Sequence, residues 1–239
     1  MNGVALAARH SSARAVVSLC VLAAAMTVGC RSVAPTVPEA RLAEARAELM
    51  RPLPGDMAAL YRLRVRSSGG LRLSLLTSGD DGRLTVSESF GSALSVTAWS
   101  GGSARLFDLR EGCQLEARNL AAALGAGGLP MPQAALLLGG RLPATAQDRV
   151  EARPSSFAIS GDGWSCLARV AADPWRVLEV EEGSGEGWRV TLDDHTGSLP
   201  GSVRLRNPDG QWAELALVRL EWKQGGKLPA LPDLPACGT

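Results

Sequence analysis

Along most of the chain apolar and polar residues alternate one by one, the period of a strand with one buried face. In 59–67, Tyr61, Leu63 and Val65 fall on one side and Arg62, Arg64 and Arg66 on the other. The same reading groups Leu71, Leu73 and Leu75 in 70–78, Leu84 and Val86 in 83–90, and Leu94 and Val96 in 92–99. Segment 103–110 closes this first set, with less clear facing. Gly69-Gly70, the stretch 78–82 and Gly101-Gly102 mark turns between the runs. After an interruption, strands return at 155–160, 163–170, 175–183, 187–194, 201–207 and 211–222. Short strands with turns this closely spaced predict an antiparallel meander, not alternating β and α units.

Two stretches break the alternation. In 38–50, Pro38 suits a first helical turn, Glu39 suits the positive end of the dipole, and Leu42 and Leu49 share a face; Pro52 and Pro54 end the helix. Residues 118–143 predict two short helices. Asn119 caps the first, which carries Leu120 and Leu124 and ends at Gly125; Pro132 starts the second, which carries Leu137 and Leu138 and stops at Gly139-Gly140. The last strand looks apolar on both faces. Ala213, Leu215 and Leu217 alternate on one side, and Ala216, Val218, Leu220 and Trp222 on the other. Either a plain sandwich core or a curved sheet with a covered concave face accounts for that.

The N-terminus sets the compartment. Arg9 and Arg14 precede an apolar run from Ala15 to Val28, and no acid intervenes. A bilayer span needs about 20 apolar residues. This run is shorter and fits the h-region of a secretory signal peptide. It ends in Thr27-Val28-Gly29-Cys30, which resembles a lipoprotein processing site. By that resemblance residues 1–29 are removed and Cys30 becomes the acylated first residue. Arg31, in place of Asp, permits transfer to an outer membrane in a Gram-negative host. Residues 30–37 then form a tether, 38–223 a domain, and 224–239 a Gly/Pro-rich tail that wraps the surface or frays.

Removing 29 of 239 residues leaves 210, enough for one good-sized domain. The leader holds two of the 25 basic residues, so the remaining chain is balanced at about −1. That argues against nucleic acid as a partner. Lys223 and Lys227 are the only lysines, so no polybasic membrane patch is expected. With Cys20 removed and Cys30 acylated, Cys113, Cys166 and Cys237 remain in an oxidising envelope. Cys113 and Cys166 both flank predicted strands, whereas Cys237 lies in the tail. The expected disulfide is therefore Cys113–Cys166, with one thiol left over or the pairing different.

Catalysis finds no organised set. After the leader His195 is the only histidine, and it lies in a polar turn without a nucleophile elbow elsewhere. Asp193, Asp194 and His195 are adjacent and do not converge easily on a metal. Residues 183–187 resemble a phosphate loop, but no helix follows them. Neither a metal nor a cofactor is expected, and the chain reads as a non-enzyme. The six tryptophans suit either core packing or an apolar pocket near lipid headgroups.

One turn is unusual. Between the strands of 83–90 and 92–99 stands Phe90, one of three phenylalanines, followed by Gly91 and Ser92. Turns normally carry small or polar residues there.

At this point the order of motifs carries a resemblance. Residues 89–108, the stretch 128–143 with its Pro130 and Pro132, and the closing block 199–222 are similar, in that order and behind a lipoprotein leader, to the LolB group within the LolA/LolB lipoprotein-localisation fold. The resemblance implies a mainly β fold, a curved and incomplete antiparallel barrel with short helices forming a lid. It implies a hollow that binds acyl chains and a function in receiving lipoproteins, from a LolA-like periplasmic carrier, and inserting them into the outer membrane. It places Phe90 and Gly91 in a loop that touches membrane or passing lipid. The concave candidates are Leu71, Leu73, Leu75, Leu84, Val86, Leu94 and Val96. The lid candidates are Leu120, Leu124, Leu137 and Leu138. A monomer facing the periplasm is expected. The alternatives are a protein of the same fold that binds another lipid or apolar ligand, and a structural partner in an outer-membrane assembly.

Overall fold

The alternating segments form strands that hydrogen-bond into a single antiparallel sheet. The structure is a computed structural model. It describes residues 37–65, 70–100, 103–116, 128–183 and 187–237, which belong to a unit running from Thr36 to Thr239. The first six strands are β1 (Asp56–Val65), β2 (Leu71–Ser78), β3 (Asp81–Glu88), β4 (Ala93–Ser100), β5 (Ser103–Asp108) and β6 (Cys113–Glu116). The other seven are β7 (Arg149–Arg153), β8 (Ser156–Gly161), β9 (Trp164–Ala171), β10 (Arg176–Glu182), β11 (Arg189–Asp193), β12 (Ser202–Arg206) and β13 (Trp212–Lys223). Each strand lies beside its sequence neighbour except at one junction. There β13 returns to pair with β1, so the order runs β6 to β1, then β13 down to β7. The end strands β6 and β7 do not pair, and the sheet stays open. The sequence pattern does not mark these two: both are short, and β7 is charged at alternate positions.

Helix α1 (Glu39–Leu49) precedes the sheet, and helix α2 (Met131–Leu138) lies in the link between β6 and β7. α1 buries Leu42, Ala45 and Leu49, one stripe at helical spacing. α2 is apolar nearly all round and buries six of its eight residues. Such a helix belongs inside a protein. One continuous core joins both helices to residues from both flanks of the sheet, from Leu84 and Trp99 on one side to Phe157 and Val150 on the other. Thirteen strands can share one core with two helices only by wrapping around them. The inner face is therefore concave and filled.

β13 corrects the reading of a two-faced strand. Its register against β1 slips by one residue between Leu60 and Tyr61, where Leu217 and Arg219 are successive partners and Val218 is left over. A bulge inverts the alternation from that point on. Leu220 and Trp222 thus return to the face of Ala213, Leu215 and Leu217. Leu217 and Leu220 both pack on the core, while Val218 projects and is exposed.

The tail wraps. Gly226 donates to Asp56 (2.8 Å) and accepts from the Ser78 hydroxyl. Farther on, Arg83 donates to the Ala230 carbonyl (2.9 Å) and Gln114 to that of Leu234 (2.6 Å). A disulfide between Cys113 and Cys237 fastens the tail. This replaces the expected Cys113–Cys166 pair. Cys166 faces the core from β9, is buried and stays a free thiol, whereas the tail carries Cys237 across the sheet to the β6 edge.

Candidate functional site

The β3–β4 turn is tightly built. Gly91 donates to the Glu88 carbonyl and Glu88 to that of Ser92, both at 2.9 Å. Gly91 sits at φ +97°, a conformation that favours glycine. The Ser89 hydroxyl donates to the Gly70 carbonyl, tying this turn to the one before β2. On this frame Phe90 is 98% exposed. A full aromatic ring in water at the tip of an ordered turn forgoes about 1.5–3 kcal/mol of burial.

Of the concave candidates, Leu73, Leu75, Leu84 and Val86 lie buried on the inner face. Leu71 and Leu94 are half-buried at its rim. Val96 is a correction. The β3–β4 register pairs Val86 with Ser95 and Thr85 with Val96, so Val96 points outward; Leu94 falls at a bulge between Ser95 and Ala93. On the inner face β4 instead offers Ser95, Thr97 and Trp99. Trp99 lies over Gly82, where an added Cβ would meet its ring at 1.9 Å. Of the lid candidates, Leu137 and Leu138 are buried in α2 against the sheet. Leu120 and Leu124, like Cys30, lie outside the described residues.

Two hydroxyls facing the hollow, Tyr61 Oη and Thr97 Oγ1, have no hydrogen-bond partner among the described residues, and neither does Gln133 Oε1 on α2. Burial pushes the Tyr61 phenol well above its usual range, so it stays a neutral donor. An unmatched buried hydroxyl costs about 1–3 kcal/mol, which an ester or hydroxyl of a bound amphiphile would offset. The other amide atom of Gln133 is used: Nε2 donates to Asp148 (3.0 Å), which also accepts from the Thr145 backbone and hydroxyl.

At the end of β2 and β3 away from Phe90 lies a pocket of about 390 Å³. Leu53, Trp99, Ala135 and Leu136 line it together with Asp56, Thr77 and Asp80. Asp56 builds its wall by accepting from Gly79 (3.0 Å) and Gly226 (2.8 Å). The pocket is thus a notch between α2 and the sheet rim, and the hollow itself is occupied by α2.

His195 is half-buried, not a free surface group. Its Nε2 lies 2.9 Å from the Val177 carbonyl, and burial holds the imidazole below its usual pKa. Burial, with help from the charge of Asp148, pushes the Cys166 thiol up to about 12, which makes it a poor nucleophile. Among the described residues no three His, Cys, Asp or Glu side chains are grouped to hold a metal.

An open antiparallel sheet wrapped around two short helices, with an apolar inner face, is the architecture of the LolA/LolB-like fold. The chain is similar in structure to the crystal structure of a LolA superfamily protein from Nitrosomonas europaea, with a TM-score of 0.50 over 81% of this chain and 96% of that one. Sequence identity is 14%, so the likeness is one of fold. No protein-family model matches the sequence, and no curated protein does.

Proposed function

We propose that this protein is a lipid-anchored acceptor at the periplasmic face of the outer membrane, which takes acyl chains into its hollow and passes lipoproteins into the bilayer. Cys30 is the acylated residue in this reading, and a LolA-like carrier supplies the cargo. The observation that carries it is Phe90. An ordered turn that holds an aromatic ring fully in water provides a foothold for a membrane or a passing acyl chain. The fold supports the rest. α2 is a short apolar helix that shares one core with Leu73, Leu75, Leu84 and Val86, and it serves as the plug in this reading. Moving lipid from site to site breaks no covalent bond, so the chemistry asks only for a hollow, a plug and a foothold.

The test is a transfer assay. A carrier loaded with an acylated lipoprotein is mixed with outer-membrane vesicles, alone, with the protein, or with Phe90→Glu. Insertion that depends on the protein and fails with Phe90→Glu is the expected result. No dependence on the protein, with its fold intact, overturns the proposal.

A second reading, a receptor for a different amphiphile, draws on the unmatched hydroxyls of Tyr61 and Thr97 and on the notch beside Asp56. It expects tight binding of a polar-headed lipid, weakened by Tyr61→Phe, without any transfer.

A further inference from the structure

The outer face of β2, β1, β13 and β12 gathers charge that the sequence scatters. Register places Arg62 directly opposite Arg72 and Arg64 opposite Glu214, with Arg204 on the far side of Glu214 and Arg206 two residues farther along β12. All five arginines are exposed. Arg204 approaches Glu214 at 3.8 Å; Arg62, Arg64, Arg72 and Arg206 make no ion pair among the described residues. Strands lie about 4.8 Å apart, so the patch from Arg72 to Arg204 is roughly 15 Å wide. A lysine count does not reveal this cluster of arginines, because arginines from separate hairpins meet only in the folded register.

The neighbouring strands behave differently. On β9–β11, Arg169 and Arg189 reach Glu179 and Glu181. In the patch, by contrast, Arg62 faces Arg72, and at its margin Arg206 faces Arg189. Like charges directly opposite one another destabilise a sheet. An anion bound between them would reverse that sign.

Two aromatics border the patch. Trp212 stands opposite Arg206 and is half-buried. Ser87, the β3 partner of Arg72, is three residues before Phe90.

We propose that this face docks on a membrane surface bearing anionic headgroups, with the arginines on phosphates and Phe90 and Trp212 at the acyl boundary. It rests on the membrane-facing reading of Phe90. A guanidinium matches a phosphate with two parallel hydrogen bonds. The chain as a whole is near neutrality, at +1, so attraction to an anionic bilayer depends on this local concentration and on orientation. An array of exposed arginines, four of them in no ion pair among the described residues, beside a projecting ring suits a fluid headgroup layer, which needs no matching pocket for the phenyl group.

The test uses residues 36–239, one compact unit that contains every buried core residue among the described residues, so that no acyl anchor intervenes. Co-sedimentation is measured with vesicles of phosphatidylcholine alone and with added phosphatidylglycerol, at low and high salt. The expected result is a clear preference for the anionic vesicles that salt removes. Arg62→Ser with Arg72→Ser should lower anionic binding about fivefold for each arginine removed, with Arg153→Ser as an unchanged control. Phe90→Ser should lower binding to both vesicle types alike. Equal binding to neutral and anionic vesicles overturns the proposal. So does an arginine variant that binds vesicles normally, including one that instead loses an acidic protein partner. Loss with Phe90→Ser alone overturns the patch and keeps the foothold; loss with the arginine variants alone keeps the patch and removes the foothold.

Discussion

Across β3–β6 the outer side of the sheet carries Val96 and Phe107, both buried, and Arg83, 8% exposed. Across β2, β1, β13 and β12 the same side carries Arg62, Arg64, Arg72, Arg204 and Arg206, all exposed. Both regions belong to one sheet with one concave core, so the difference lies in what covers them. The tail crosses the first region, taking hydrogen bonds from Arg83 and Gln114 and ending in the Cys113–Cys237 bond. Nothing among the described residues covers the second. Alternation along a strand separates two faces. Which of them becomes dry depends on chain that arrives from far away in sequence.

The largest expected effect contrasts two phenylalanines. Phe107→Ala removes a ring buried in the covered region and should destabilise by about 3–5 kcal/mol. Phe90→Ala should leave stability within about 0.5 kcal/mol. Urea midpoints of the two variants measure the contrast directly, and equal losses would mean that Phe90 is a packing residue. Next comes the strap itself. Cys237→Ser opens a loop closed across 124 residues and should cost about 2–4 kcal/mol. Proteolysis should then begin in the tail. An unchanged midpoint would show that hydrogen bonds alone hold the cover in place.

The smallest effect is in pH. His195 lies in the turn between β11 and β12, on the side of the sheet that the tail does not reach. Its folded pKa is depressed by burial, so as pH falls through the ordinary imidazole value of 6.5 the unfolded chain takes up the proton first. Stability therefore declines as pH drops below that point. His195→Gln should flatten the decline in urea melts taken from neutral to mildly acidic pH. A wild-type midpoint that rises on acidification would reverse the assignment.

Much of this architecture was legible from periodicity, because strands with one buried side declare themselves at every second residue. The alternation groups Tyr61 with Leu63, Leu73 with Leu75 and Leu84 with Val86, and each of these pairs is buried, although alternation alone does not say which side is concave. Three features were not legible, for one physical reason. The bulge at Val218, the Cys113–Cys237 bond and the arginine patch all depend on register between segments distant in sequence. Val96 failed at a shorter range, because a bulge at Leu94 decouples β4 from the count that works on β3. α2 was found through Pro132 and Gly139, while its depth in the hollow follows only from the wrapping of the sheet. In the candidate site, Phe90 could be singled out because an aromatic ring in a turn is locally anomalous. The unmatched hydroxyls of Tyr61 and Thr97 could not, since an alternating pattern reads Tyr as apolar and Thr as neutral.

An open sheet also has a colloidal problem. Its two terminal strands offer unpaired backbone groups to any extended chain, including another copy of itself. Here the two margins are blunted by different means. At β7, five residues long, Arg149, Glu151 and Arg153 crowd the border with charge before Pro154 ends it. At β6 the tail occupies the margin: Gln114 donates its backbone N–H to Pro235 and accepts from Cys237, at 2.8 and 2.9 Å. The tail is thus a covalently fastened false neighbour. It keeps an incomplete barrel from recruiting a real one, so the sheet can stay open without being open for polymerisation.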